Sequence, residues 1–181
     1  ASFLNKIKNK DLLGIDTEFE WRNTYYPRIS LIQIVTDEDI FLIDCLNFSD
    51  YSELKRILED KNKQIIFHSA RSDCTVLSKC LNIHLKNVFD IQVAEGILTN
   101  KVSLGYGLIV RNYFSSVLNK SETNSNWLKR PLTKSQIKYA YEDVLYLLEI
   151  YKVQLKKLSK EGLLPSCLEK SAIEAKLGNQ E

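Results

Sequence analysis

The sequence predicts an α/β domain on a mixed five-stranded sheet, its first three strands antiparallel, flanked by helices. Three strand-like segments follow one another at residues 12–17, 28–36 and 39–44, with only loops between them. Two short apolar stretches, 64–67 and 88–89, then alternate with segments of helical periodicity. A long amphipathic stripe late in the chain has the spacing of a helix packed on a sheet. At 181 residues the chain is long enough for one well-buried domain.

The elements follow in order. Leu12, Leu13 and Ile15 make a short buried strand that leads into Asp16-Thr17-Glu18. Arg28 to Val35 carries apolar residues on both faces, as a central strand does. Asp37-Glu38-Asp39 is a polar turn, and Ile40 to Ile43 answers as the hairpin partner. Trp21 to Pro27 forms an aromatic, basic loop beside the carboxylates. Ser49 or Asp50 is placed to cap a helix through Leu58, with Leu54, Ile57 and Leu58 on one face. A strand at Gln64–Phe67, a helix over about 73–81, a strand near Val88–Phe89 and helices over 91–98 and about 104–114 come next. Residues 115–131 lack periodicity and read as a functional loop that Pro131 ends. Thr133 with Gln136 is a capping box, opening one long helix through about residue 160. Its stripe is Ala140, Val144, Leu147, Tyr151, Leu155 and Leu158. A short terminal helix is expected over about 166–177.

Composition narrows the function classes. The chain is 44% hydrophobic and 27% charged, the balance of a soluble globular protein rather than a disordered one. No apolar run reaches membrane-helix length, and no signal peptide is expected. Cys45, Cys74, Cys80 and Cys167 have neither disulfide-scaffold nor zinc spacing, so reduced thiols and a cytoplasmic setting are expected. A net charge of +2 leaves any nucleic-acid field to a local patch. The chain lacks Met, so Ala1 is not expected to be the translated start.

Three clusters carry candidate chemistry. Asp16 and Glu18, two apart on a strand, point to one face. They either run into a solvated acidic turn or hold a hard cation such as Mg²⁺ or Mn²⁺. Tyr139 and Asp143 lie one helical turn apart. An edge aromatic and a solvated charge is the plain reading, but Asp143 abuts an apolar stripe, a poor place for an unpaired charge. Asp73 follows the strand-ending His68 and sits at a helix start, where Asp is commonly a cap.

The order of these pieces, D-x-E, then H-x-x-x-x-D, then Y-x-x-x-D, resembles the three motifs of the DEDD superfamily of 3′–5′ exonucleases, in the branch with Tyr in the third motif. Within it the chain is similar to the ribonuclease D family. That similarity rests on Asp16-Thr17-Glu18-Phe19, Tyr25-Tyr26-Pro27, Leu31-Ile32-Gln33, Ser103-Leu104-Gly105, Lys120-Ser121-Glu122, Trp127-Leu128, Arg130-Pro131-Leu132-Thr133 and Tyr139-Ala140-x-x-Asp143-Val144. It covers about residues 10–165. Two positions depart: Cys74 stands where Leu is common, and Asn126 precedes Trp127 where Asp is usual.

The resemblance implies a ribonuclease H-like fold and a metal-dependent 3′–5′ exoribonuclease trimming structured RNAs such as tRNA precursors. Asp16, Glu18, Asp73 and Asp143 would hold two divalent cations, Mg²⁺ or Mn²⁺, with Asp16 bridging. Tyr139 would orient the attacking water, being a poor base with an ordinary pKa near 10. His68, Lys120 and Arg130 are the candidate substrate contacts. The partner is RNA with a free 3′ end, with DNA left open, and neither a membrane nor an organic cofactor is expected. The family's C-terminal helical nucleic-acid-binding domains are expected to be absent beyond a tail at 166–181, giving a distributive, salt-sensitive enzyme. Two alternatives stay open: a DNA exonuclease of proofreading type, and a non-catalytic nucleic-acid-binding module.

Overall fold

The structure, a computed structural model, describes residues 2–22 and 24–180. Asn23, in the aromatic loop, lies outside the described residues, as do Ala1 and the tail's Glu181. Strands β1 (Leu12–Glu20), β2 (Arg28–Val35), β3 (Ile40–Asp44), β4 (Gln64–Phe67) and β5 (Val88–Asp90) form one sheet in the order β3-β2-β1-β4-β5. β1, β2 and β3 pair antiparallel, while β4 and β5 continue from β1 in parallel. The expected mixed sheet is thus present.

Strand alternation sends Leu13 and Ile15 to one face and Leu12, Gly14, Asp16 and Glu18 to the other. Leu13 and Ile15 join a core with α1 (Ser2–Lys8), α2 (Ser52–Leu58) and α3 (Ala70–Leu81). On the opposite face lie α4 (Ile91–Thr99), α5 (Tyr106–Phe114), α6 (Lys134–Leu145) and α7 (Leu147–Lys160). A Cβ on Gly14 would meet Val35 Cγ1 at 2.5 Å and Leu147 Cβ at 3.1 Å, so α7 seats directly on the strand two residues before Asp16.

The capping box is formed: the Thr133 hydroxyl accepts from Gln136 N (3.1 Å) and Gln136 Oε1 accepts from Thr133 N (3.0 Å). The helix it opens is broken rather than continuous. At Tyr146 (φ −100°, ψ −5°) α6 ends and α7 begins. The Tyr106 phenol donates to Glu142 O (2.8 Å) and accepts from Tyr146 N (3.3 Å), the two groups a continuous helix would join.

Smaller differences have local causes. Tyr51, not Ser49 or Asp50, occupies the cap position of α2, and Asp50 Oδ1 reaches Ser52 N (3.0 Å) from one residue further out. α3 begins at Ala70, three residues early, because Asp90 accepts from Ser69 N (2.9 Å) and Ala70 N (2.8 Å). The last helix, α8 (Leu164–Gln180), is longer than expected and packs against α3. Cys167, Ser171, Ala175 and Gly178 are buried along it. A Cβ on Gly178 would fall 2.3 Å from Arg71 O, so only glycine permits this approach. No helix among the described residues is long and apolar enough to cross a membrane.

Candidate active site

Asp16 and Glu18 share the face of β1 that α6 covers, and Asp143 descends from α6 to meet them. One carboxylate oxygen from each of the three lies within 4.8 Å of the others. Asp73 arrives from α3, where Thr17 of β1 holds it. Thr17 N (3.1 Å) and Thr17 Oγ1 (2.5 Å) both donate to Asp73 Oδ1. Gln33, fully buried and directly opposite Asp16 in the register, donates through Nε2 to Asp16 Oδ2 (3.3 Å) and Glu18 Oε1 (3.5 Å).

Burial first, and mutual repulsion second, set the protonation of this cluster. Glu18 is pushed up to about 10 by burial and by the charges of Asp16, Asp143 and Asp73. Asp143 is pushed up to about 7 by burial, then by Glu142 and Asp73. Asp16, by burial and Asp143, and Asp73, by burial and Asp16, are held well above the usual carboxylate range. Among the described residues no lysine or arginine is within salt-bridge distance of any of the four. Clustered hard oxygen donors without a protein cation suit a divalent metal such as Mg²⁺ or Mn²⁺.

Tyr139 stands one turn before Asp143, its ring 5.9 Å from that of buried Trp127 and its hydroxyl 3.3 Å from Thr123 Oγ1. Burial, with Asp143, Glu18 and Asp16 nearby, raises its phenol to about 12. At neutral pH it therefore keeps its proton and acts as a hydrogen-bond donor. Lys120 is exposed and joins Tyr106, Tyr139 and Asp143 around a cavity of about 220 Å³. His68 Nε2 bonds to Leu104 O (2.8 Å); a carbonyl only accepts, so Nε2 carries the proton. Burial lowers the pKa of this ring, favouring the neutral form.

Arg130, the third candidate substrate contact, is engaged within the protein. Its guanidinium makes a two-pronged pair with Asp44 (3.0 and 2.6 Å) and donates to Trp127 O (2.8 Å) and Ser30 O (3.3 Å). It clamps the 115–131 loop to β2 and β3, and Asp44 is held at about 2 by the partnership. Asn126 Oδ1 accepts from Leu128 N (3.1 Å), a turn bond that the carboxylate usual at that position would supply equally. Sequence reasoning gave no role to Thr17, Asp90 or Tyr106. Gln33 stood in a family-like motif but had no role either, since its cross-strand register with Asp16 appears only once the strands pair.

Residues 1–159 match the sequence pattern of a family described as 3′–5′ exonuclease. The chain belongs to the 3′–5′ exonuclease family. It is 39% identical over 160 residues to a ribonuclease D of Desulfotalea psychrophila, covering 86% of this chain and 43% of that protein. It is 34% identical over 169 residues to ribonuclease D of Escherichia coli, covering 93% and 45%. The crystal structure of E. coli RNase D, an exoribonuclease involved in structured RNA processing, superposes with a TM-score of 0.94 at 31% identity. It covers 98% of this chain and 48% of that one. The chain thus spans less than half the length of these relatives, and its sheet and helices have their ribonuclease H-like exonuclease fold.

The protonation pattern of this exonuclease domain has a measurable consequence. A carboxyl whose folded pKa is raised contributes stability fully present below its ordinary pKa and lost as pH rises through the folded value. In chelator, the domain's melting temperature should therefore fall as pH rises through about 7, where Asp143 ionises, and keep falling toward about 10, where Glu18 does. Millimolar Mg²⁺ or Mn²⁺ should flatten that decline by binding the ionised form. Melts recorded from pH 5 to 10 with and without metal check it, and an apo curve that rises over this range contradicts it.

Proposed function

We propose that this domain is a metal-dependent 3′–5′ exoribonuclease that removes 5′-nucleoside monophosphates one at a time from RNA 3′ ends. The observation that carries the reading is the convergence of Asp16, Glu18 and Asp143 beside a phenol, Tyr139, that stays protonated at neutral pH. The three carboxylates would hold one of two divalent cations between them, with Asp16 shared and Asp73, steadied by Thr17, serving the second. Two such ions supply a hydroxide-like nucleophile and offset charge on the scissile phosphate and leaving oxygen.

The chain's own residues then do the positioning. Gln33 holds Asp16 and Glu18 from across the sheet, restricting their rotamers. Tyr139 donates a hydrogen bond toward the attacking water, and Lys120 offers a cation beside the same cavity for the substrate phosphates. His68, neutral and tied to Leu104, backs Tyr106, which lines that cavity. The similarity to E. coli RNase D supports structured RNA as the substrate class, with tRNA precursors the proposed case. Four free thiols support a cytoplasmic setting.

The test is degradation of end-labelled RNA with Mg²⁺, with Mn²⁺ and with chelator. A metal-dependent ladder shortened from the 3′ end, with 5′-monophosphate products, is expected, and a circular RNA of the same sequence should survive. Cleavage of the circle at a comparable rate overturns the exonuclease reading. Matched DNA in the same assay decides the substrate class, since faster loss of DNA would favour a proofreading-type nuclease.

A further inference from the structure

The break between α6 and α7 lies three residues beyond Asp143, and one side chain fills it. Tyr106 Oη gives its proton to Glu142 O at 2.8 Å and takes one from Tyr146 N at 3.3 Å, while Tyr146 N–H also leans back on Val144 O. The phenol thus stands in for the i→i−4 bond that a continuous helix would make there. It bonds to the carbonyl of the residue next to Asp143, so it bears on the direction from which that carboxylate enters the cluster.

Tyr106 is itself anchored on the far side. The His68 ring packs against it, centroids 5.7 Å apart at 56°, and Gly105 just ahead opens α5. The carbonyl of Leu104 accepts from two side chains, His68 Nε2 at 2.8 Å and Gln92 Nε2 at 3.1 Å. His68 directly follows β4, and α3 with Asp73 begins two residues later. A chain of contacts therefore runs from His68, in the loop that leads into α3, to the helix that presents Asp143.

From this geometry we infer that Tyr106 is a positioning residue: through the α6–α7 break its hydroxyl sets where Asp143 and Tyr139 stand in the metal cluster. Phe at this position keeps the ring and its contact with His68 but can neither donate to Glu142 O nor accept from Tyr146 N. The last turn of α6 then loses both bonds, and Asp143 on that turn shifts. Loss of a group that orients a metal ligand costs roughly 10- to 100-fold in metal affinity or activity.

The inference rests on the proposed metal-dependent reading, but its first readout does not. In Tyr106→Phe, hydrogen exchange at the Tyr146 amide should accelerate about tenfold, the loss of one hydrogen bond of ordinary strength. Calorimetric titration with Mn²⁺ alone should give an affinity about tenfold weaker than wild type. On RNA, kcat should fall while KM holds, and raised Mn²⁺ should restore part of the rate. Tyr113→Phe is the control, because it removes a comparable bond, to Glu95 Oε2 at 2.8 Å, from the other end of the same helix. Unchanged Mn²⁺ affinity in Tyr106→Phe overturns the proposal, and so does an equal loss in Tyr113→Phe, which would mark general loosening. A wild type that binds no Mn²⁺ fails the metal reading first, and unaltered Tyr146 exchange would then dispose of the inserted hydroxyl separately.

Discussion

Asp143→Asn should lower RNA hydrolysis by a hundredfold or more, on the order of the loss when a metal site loses a ligand, without lowering the stability of the metal-free protein. An ordinary helix carboxylate behaves the opposite way, since its loss removes hydrogen bonds or a favourable charge and leaves catalysis alone. The reversal follows from the surroundings of Asp143. Burial together with Glu142 and Asp73 pushes its carboxyl up to about 7, so at neutral pH the fold already strains to accommodate its charge. Asn keeps the shape and removes that strain, and Asp16 and Glu18, whose pKa values Asp143 also raises, gain from the same change. In chelator the variant should melt at or above the wild-type temperature. With millimolar Mg²⁺ or Mn²⁺ the wild type rises by mass action and the variant rises less, because its site binds more weakly. Paired melts with and without metal, beside the degradation assay, check both halves. A variant that melts well below wild type in chelator yet still degrades RNA would remove Asp143 from the site.

The sheet was legible because its signals are local. Alternation and apolar runs marked all five strands, and the capping box at Thr133 and Gln136 located the start of α6. The acidic residues were legible for a different reason, their order along the chain and the small motifs around them. What stayed hidden depends on contacts distant in sequence. Nothing near residue 146 announces a helix break, because the cause is a phenol 40 residues earlier. The partner of Arg130 was hidden in the same way, because an arginine in a loop offers no sign that Asp44, 86 residues away, will pair with it. Helix α1 was overlooked although Leu4 and Ile7 carry helical spacing, since 7 residues give too short a window to tell a helix from a loop. The early start of α3 was invisible for the same kind of reason as the helix break: its cap is Asp90, on a strand that pairs with β4 only after folding.

Asp90 carries the second large effect, with the opposite signature. Its side chain is buried and accepts three main-chain N–H groups: Ser69 at 2.9 Å, Ala70 at 2.8 Å and Gln92 at 2.9 Å. One carboxylate therefore caps α3 and α4 together, and it fixes the first turn of the helix that presents Asp73. Asp90→Ala strands three donors in a water-poor place. At about 1–3 kcal/mol for each unsatisfied group, and less than additively, the cost is roughly 3–5 kcal/mol. For a chain of this length that lowers the melting temperature by about 10 °C or more. Asp90→Asn keeps one acceptor oxygen but turns an NH₂ toward a backbone donor, so it should fall between Ala and wild type. Activity should drop in both as α3 frays and Asp73 leaves Thr17, and amide exchange at Ser69 and Ala70 should quicken before the global transition. Where Asp143→Asn leaves the metal-free protein as stable as before and still costs activity, Asp90→Ala should lose both together. Melting of Asp90→Ala within about 2 °C of wild type, far short of the shift this cost implies, would show that the three donors find other partners and that α3 does not depend on this cap.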